Sequence, residues 1–224
     1  GAGIGGNGAQ IKDSQVQKWC DFGDITIKGG TIDATGGATH SANYGAGAGI
    51  GGGGSTLNQG KLEGLAELEG SIIIENGTIT AIGGADSKGD TWGGAGIGSG
   101  GAGNTNQPHR SDIKVTIEGG TVAAKGGSIA AGIGGSNSMD GGRIAITGGQ
   151  VKAIGSADGY WGGAGIGGGD KVHDFVDHGK HSFSVLLRQS LSADVHSSAV
   201  IIPEARKKTM RKKQKVPIAR FDKL

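Results

Sequence analysis

The 224-residue sequence predicts an all-β fold: a right-handed parallel β-helix of about four glycine-rich repeats, followed by a non-repeat C-terminal segment. Three observations predict it. The motif AGIG recurs with its isoleucine at Ile4, Ile50, Ile97, Ile133 and Ile166. A two-strand motif lies between these, as DITIKGGTIDATGG at 24–37, SIIIENGTITAIGG at 71–84, KVTIEGGTVAAKGG at 114–127 and RIAITGGQVKAIGS at 143–156. Finally, the same side chains fall at the same place in every copy. Stacking each copy on the next therefore sets Ile on Ile and buries a face that one repeat leaves open.

In the first strand of each copy Ile25 and Ile27 share a face, as do Ile72 and Ile74, Val115 and Ile117, and Ile144 and Ile146. That period of two is a strand signature. The second strand alternates large and small inward residues: Ile32 and Ala34, Ile79 and Ala81, Val122 and Ala124, Val151 and Ala153. Gly-Gly or Asn-Gly separates the two strands, at a corner where φ > 0 is available to glycine without steric cost. The AGIG segment supplies a third side, with its isoleucine inward and its glycines allowing close backbone approach. A strong Asn-Gly turn signal at Asn76-Gly77 leaves a hairpin meander or a sandwich as the alternative. In the β-helix, Ile27, Ile74, Ile117 and Ile146 form one inward column of parallel strands about 4.8 Å apart.

Glycine contributes 51 residues and proline three. Glycine does not recur at every third position, which excludes collagen. The alternating β-branched runs argue against disorder. Only nine residues are Phe, Tyr or Trp, so Ile, Val and Ala must fill a narrow core. Residues 204–224 hold nine Lys or Arg and two acids, which leaves 13 basic and 18 acidic side chains for the remainder. The body is thus mildly acidic and the tail basic. We divide the chain into a glycine-rich solenoid at 1–170, a cap or linker at 171–203, and a basic tail at 204–224 that is a disordered arm or the start of a further domain. Apolar Val185, Leu186, Leu187 and Leu191 suit a cap over the last coil. Cys20 is the single cysteine and permits no intrachain disulfide. No apolar run approaches the roughly 18 residues of a membrane span. The chain opens inside a repeat, as expected of a fragment or processed product of a longer protein.

Tandem GAGIGG segments alternating with I-T-I-x-G-G-T-[IV]-x-A-x-G-G strands resemble the glycine-rich repeat regions of large bacterial surface proteins, many from Gram-positive anaerobes. Those regions are described as carbohydrate-binding or adhesin-like parallel β-helix domains. The resemblance covers about residues 1–170 and not the tail. It implies an extracellular or cell-surface setting and a polysaccharide or a host or cell-surface glycan as partner. It carries no catalytic residue onto this chain.

Aromatics gather just before the AGIG segments: Tyr44, Trp92, and Trp161 with Tyr160 beside it. The third copy has Ser128-Ile129-Ala130 there instead. A solenoid brings such residues toward one edge. We take Trp92, Trp161, Tyr160 and Tyr44 as the candidate glycan-binding residues, because flat rings stack on sugar C–H faces. The competing and preferred reading has each ring cap a glycine-rich turn. Asp86, Asp90 and Asp158 lie in the same loops and are the candidate metal ligands. Calcium is the ion that hard carboxylate oxygens would take, although ordinary turn chemistry explains isolated loop Asp more simply. No other cofactor is expected. His173, His178 and His181 match no zinc spacing and read as part of a polar linker.

The outward strand positions are mixed, with Thr26, Ile73, Thr116 and Ala145 in one series and Asp33, Thr80, Ala123 and Lys152 in another. They show no repeated pair of carboxylates. The leading reading is therefore a non-enzymatic cell-surface module, carbohydrate-binding or an adhesive or structural stalk. The alternative is a pectate-lyase-like polysaccharide-degrading enzyme or a fragment of one. A third reading gives the basic tail an anionic polymer as partner.

Overall fold

The computed structural model describes residues 1–8, 11–12, 15–16, 21–40, 44–58, 61–63, 68–85, 92–102, 111–137, 139–158 and 161–169. Three parallel sheets form the body. The first consists of Gly23–Ile27, Leu68–Ile74, Ser111–Ile117 and Arg143–Ile146, in chain order. The second consists of Thr31–Thr35, Thr78–Ile82, Thr121–Lys125 and Gln150–Ile154. The third is the glycine-rich wall, whose five two-residue strands are Ile4–Gly5, Ile50–Gly51, Ile97–Gly98, Ile133–Gly134 and Ile166–Gly167. Every strand pairs with its counterpart one coil away, so the chain winds as a parallel β-helix.

The registers follow the sequence repeats residue for residue. Ile27 pairs with Ile74, Ile74 with Ile117, and Ile117 with Ile146. In the second sheet Ile32, Ile79, Val122 and Val151 form the corresponding column. Gly23–Ile27 and Thr31–Thr35 lie in different sheets, which rules out the hairpin meander. Ile74, Ile97, Ile117 and Ile133 are fully buried, whereas Ile4, Ile25, Ile32, Val151 and Ile166 are only partly covered. These last five belong to the end coils, each of which has a neighbouring coil on one side only among the described residues. At the first coil Phe22 packs against the core. Its ring occupies the space left by Gly70, where a Cβ would stand 2.5 Å from the ring.

The glycine-rich wall has a specific geometry. The N–H groups of Ala2, Ala48, Ala95, Ala131 and Ala164 donate to the carbonyls of Gly6, Gly52, Ser99, Gly135 and Gly168 at 2.8–3.1 Å. Each segment thus folds back on itself with the isoleucine at its apex inserted into the core. The glycine after that isoleucine has φ between 124° and 136° in all five coils. A Cβ on Gly98 would stand 2.1 Å from the Gly134 carbonyl oxygen of the next coil. Backbone against backbone leaves no room for a side chain, which is the physical reason for the motif.

The corner between first and second strands is three residues long in every coil: 28–30, 75–77, 118–120 and 147–149. The other two corners vary. Three short antiparallel hairpins project from them: Ile11–Lys12 with Gln15–Val16, Thr56–Asn58 with Lys61–Glu63, and Ala157–Asp158 with Trp161–Gly162. In the third coil residues 126–132 make the shortest return from the second sheet to the wall. Ile129, at the position where the aromatic series breaks, turns there with φ 49° and is 1% exposed. The cap or linker at 171–203, the tail at 204–224 and the three histidines all lie outside the described residues.

Candidate functional site

The second sheet presents a flat outer face of three columns. Thr31, Thr78, Thr121 and Gln150 form one; Asp33, Thr80, Ala123 and Lys152 the next; Thr35, Ile82, Lys125 and Ile154 the third. Ile82 and Ile154 are 38% and 43% exposed, large apolar side chains turned to solvent on one column with Lys125 between them. The first sheet is more polar outside. Its column Asp24, Ser71, Lys114 and Arg143 begins with a hydrogen bond from the Ser71 hydroxyl to the Asp24 carboxylate. Arg143 also reaches Asp112 at 3.4 Å, with both side chains well exposed.

Two of the four candidate aromatics, Tyr44 and Trp92, have described side chains, and they differ in exposure. Tyr44 is 52% exposed, but Trp92 is 6% exposed. Trp92 opens a run of glycines, and its backbone carbonyl accepts from the Ala46 N–H of the preceding coil. An indole carries a large apolar surface, and burying it removes that area from water. The burial of Trp92 fits the capping reading. Trp161 pairs through its backbone with Asp158 in the antiparallel hairpin. The side chains of Trp161 and Asp158, and all of Tyr160, Asp86 and Asp90, lie outside what is described. Among the described residues no group of three or more His, Cys, Asp or Glu is placed to hold a metal. No helix of the described residues is long and apolar enough to cross a membrane.

One polar cluster escaped sequence reading. The Asp140 carboxylate accepts from the Ser111 N–H at 2.9 Å, the Ser111 hydroxyl at 3.0 Å and the Gly142 N–H at 3.2 Å. It ties the start of the third coil's first strand to the entry of the fourth. The only sequence signal is the turn-forming run Asp140-Gly141-Gly142, which says nothing of a partner 29 residues away.

Three parallel sheets with repeated registers make the body a parallel β-helix solenoid. A family model described as a beta helix repeat matches residues 25–54, 115–137 and 144–170. The coil at 71–101, between the first two matched segments, has the same strands in the same registers. No curated protein and no solved structure matches the chain.

Proposed function

We propose that this β-helix is a non-enzymatic module of an extracellular or cell surface that binds polysaccharide along the outer face of its second sheet. The observation that carries the reading is the column Thr35, Ile82, Lys125 and Ile154, with its two exposed isoleucines. Exposed apolar groups on a rigid surface mark interaction sites when they gather rather than scatter. Apolar tops suit the C–H faces of sugars, and the neighbouring threonine hydroxyls and lysines supply donors and acceptors to their hydroxyls. Solenoids offer such extended surfaces by construction. Tyr44 adds an exposed ring.

The test is a pull-down on a panel of soluble and insoluble glycans. Wild type should be retained on at least one. An Ile82→Thr/Ile154→Thr double variant should lose retention at an unchanged denaturation midpoint. Full retention by the folded double variant would remove the face from the proposal. Depolymerisation of any panel member by wild type would reject the non-enzymatic reading. A stalk is the second reading, favoured by the uninterrupted ladder through all three sheets. It takes over if wild type binds nothing.

A further inference from the structure

Asn76 and Gly77 form the corner of the second coil, and we infer that Asn76 is a site of spontaneous deamidation in the folded protein. The equivalent corners are Gly29-Gly30, Gly119-Gly120 and Gly148-Gly149, which carry no side-chain amide. Asn76 is exposed, and the Gly77 N–H donates to its Oδ1 at 2.8 Å. A C=O bond is about 1.23 Å long, so the Gly77 nitrogen lies within about 4 Å of the Asn76 Cγ. Gly77 has φ 118° and no side chain to shield that nitrogen. The corner therefore holds nucleophile and electrophile side by side in water.

The chemistry needs only water and hydroxide. The Gly77 amide nitrogen gives up its proton and attacks the Asn76 Cγ. A C–N bond forms, the Cγ–Nδ2 bond breaks, and the amide leaves as ammonia with a proton from water. The product is a five-membered succinimide. Water then opens it at one of two carbonyls. Cleavage of the new bond gives aspartate. Cleavage at the original main-chain carbonyl gives isoaspartate, in which the backbone runs through the side-chain carbon.

This corner is a sensitive place for either product. It is bonded on both sides: the Glu75 N–H donates to Ile27, Thr78 to Gly30 of the first coil, and Thr121 of the third coil to Gly77, each at 2.8 Å. Isoaspartate adds a methylene to a connection that has three residues in every coil. It shifts Thr78–Ile82 against both neighbours and moves Ile82 off its column. Aspartate adds a negative charge to a corner that already carries Glu75.

The test follows the folded wild-type protein through incubation in neutral and in alkaline buffer. Tryptic digestion yields the peptide 62–88, in which Asn76 is the sole asparagine. Mass spectrometry reads the exchange of an amino group for a hydroxyl, and isoaspartyl methyltransferase labelling reads the rearranged product. Both signals should accumulate in the folded protein, faster in alkali. An Asn76→Gly variant, copying the other corners, should show neither in the peptide 62–88, whatever label appears at Asn7-Gly8, and should unfold at a midpoint close to wild type. Retention of the amide in the folded protein, over a period in which the urea-unfolded chain deamidates, would overturn the inference. Glycan binding is not an input to this test, so its result stands apart from the functional reading above.

Discussion

Replacing Ile117 by aspartate puts a carboxylate at the centre of the isoleucine column. Ile117 is 0% exposed and lies in register with Ile74 on one side and Ile146 on the other. Removing a buried isoleucine side chain costs about 2–5 kcal/mol, and an unpaired buried carboxylate adds several more. The sum approaches the roughly 5–15 kcal/mol that hold a whole domain together. A graded series keeps the effect measurable: Ile117→Val at about 0.5–1.5 kcal/mol and Ile117→Ala at about 2–5 kcal/mol. Ile27 stands in the same column but in the end coil, 6% exposed, with a strand neighbour on one side only among the described residues. Ile27→Ala should therefore cost less than Ile117→Ala. Urea unfolding followed by circular dichroism gives each value. The aspartate variant adds a pH signature. Burial raises a carboxyl pKa in the folded state, so the charge part of the penalty grows as pH rises above the unfolded value near 3.9 and disappears below it, leaving the cost of the lost isoleucine. An unchanged midpoint for Ile117→Asp at neutral pH, or a larger loss at Ile27 than at Ile117, would refute the assignment of this face to the core.

Three glycines separate sterics from backbone strain. Gly98→Ala meets the Gly134 carbonyl at 2.1 Å with φ 136°, and should prevent folding or lower the thermal midpoint most. Gly30→Ala has open space but φ 93°, and should cost about 1–3 kcal/mol. Gly29→Ala has open space and no positive φ, and should stay within about 0.5 kcal/mol of wild type. At the clamp between the third and fourth coils, Asp140→Ala leaves the Ser111 N–H and the Gly142 N–H without their carboxylate acceptor, while the Ser111 hydroxyl keeps the Asp140 backbone carbonyl at 3.1 Å. It should cost about 1–3 kcal/mol in chemical denaturation, and Asp140→Asn less, because an amide oxygen still accepts.

The sheets were legible because their information is local and repeated. An I-T-I strand states its inward face by itself, and four copies in parallel state the register. The glycines after each AGIG isoleucine were legible as a need for close approach, though the folded-back bracket was not. That bracket is closed by a hydrogen bond between residues four apart within one segment, which a run of glycines does not announce. Trp92 illustrates the harder problem. A tryptophan beside glycines reads alike whether it stands out from a loop or is buried, since its burial depends on how distant parts of the chain pack. Ile129 is a second case: nothing in Ser128-Ile129-Ala130 announces a buried β-branched residue at φ 49°. The exposed column of Ile82 and Ile154 could have been found. Both end the second strand of their copies, and their period places them outward.

The unequal corners divide the circumference into a fixed part and a variable part. Between the first and second strands the chain always spends three residues, while the other two turns range from a seven-residue return at 126–132 to excursions bearing whole hairpins. Growth or loss of sequence can therefore be absorbed at two edges without disturbing the registers that hold the stack. A complete coil is likewise exchangeable, because each presents the same isoleucines and glycines to the coil on either side. Such a chain can lengthen by duplication of its own gene segment and diversify one edge at a time. Its lineage is free to try new surfaces on a frame that does not have to be solved again.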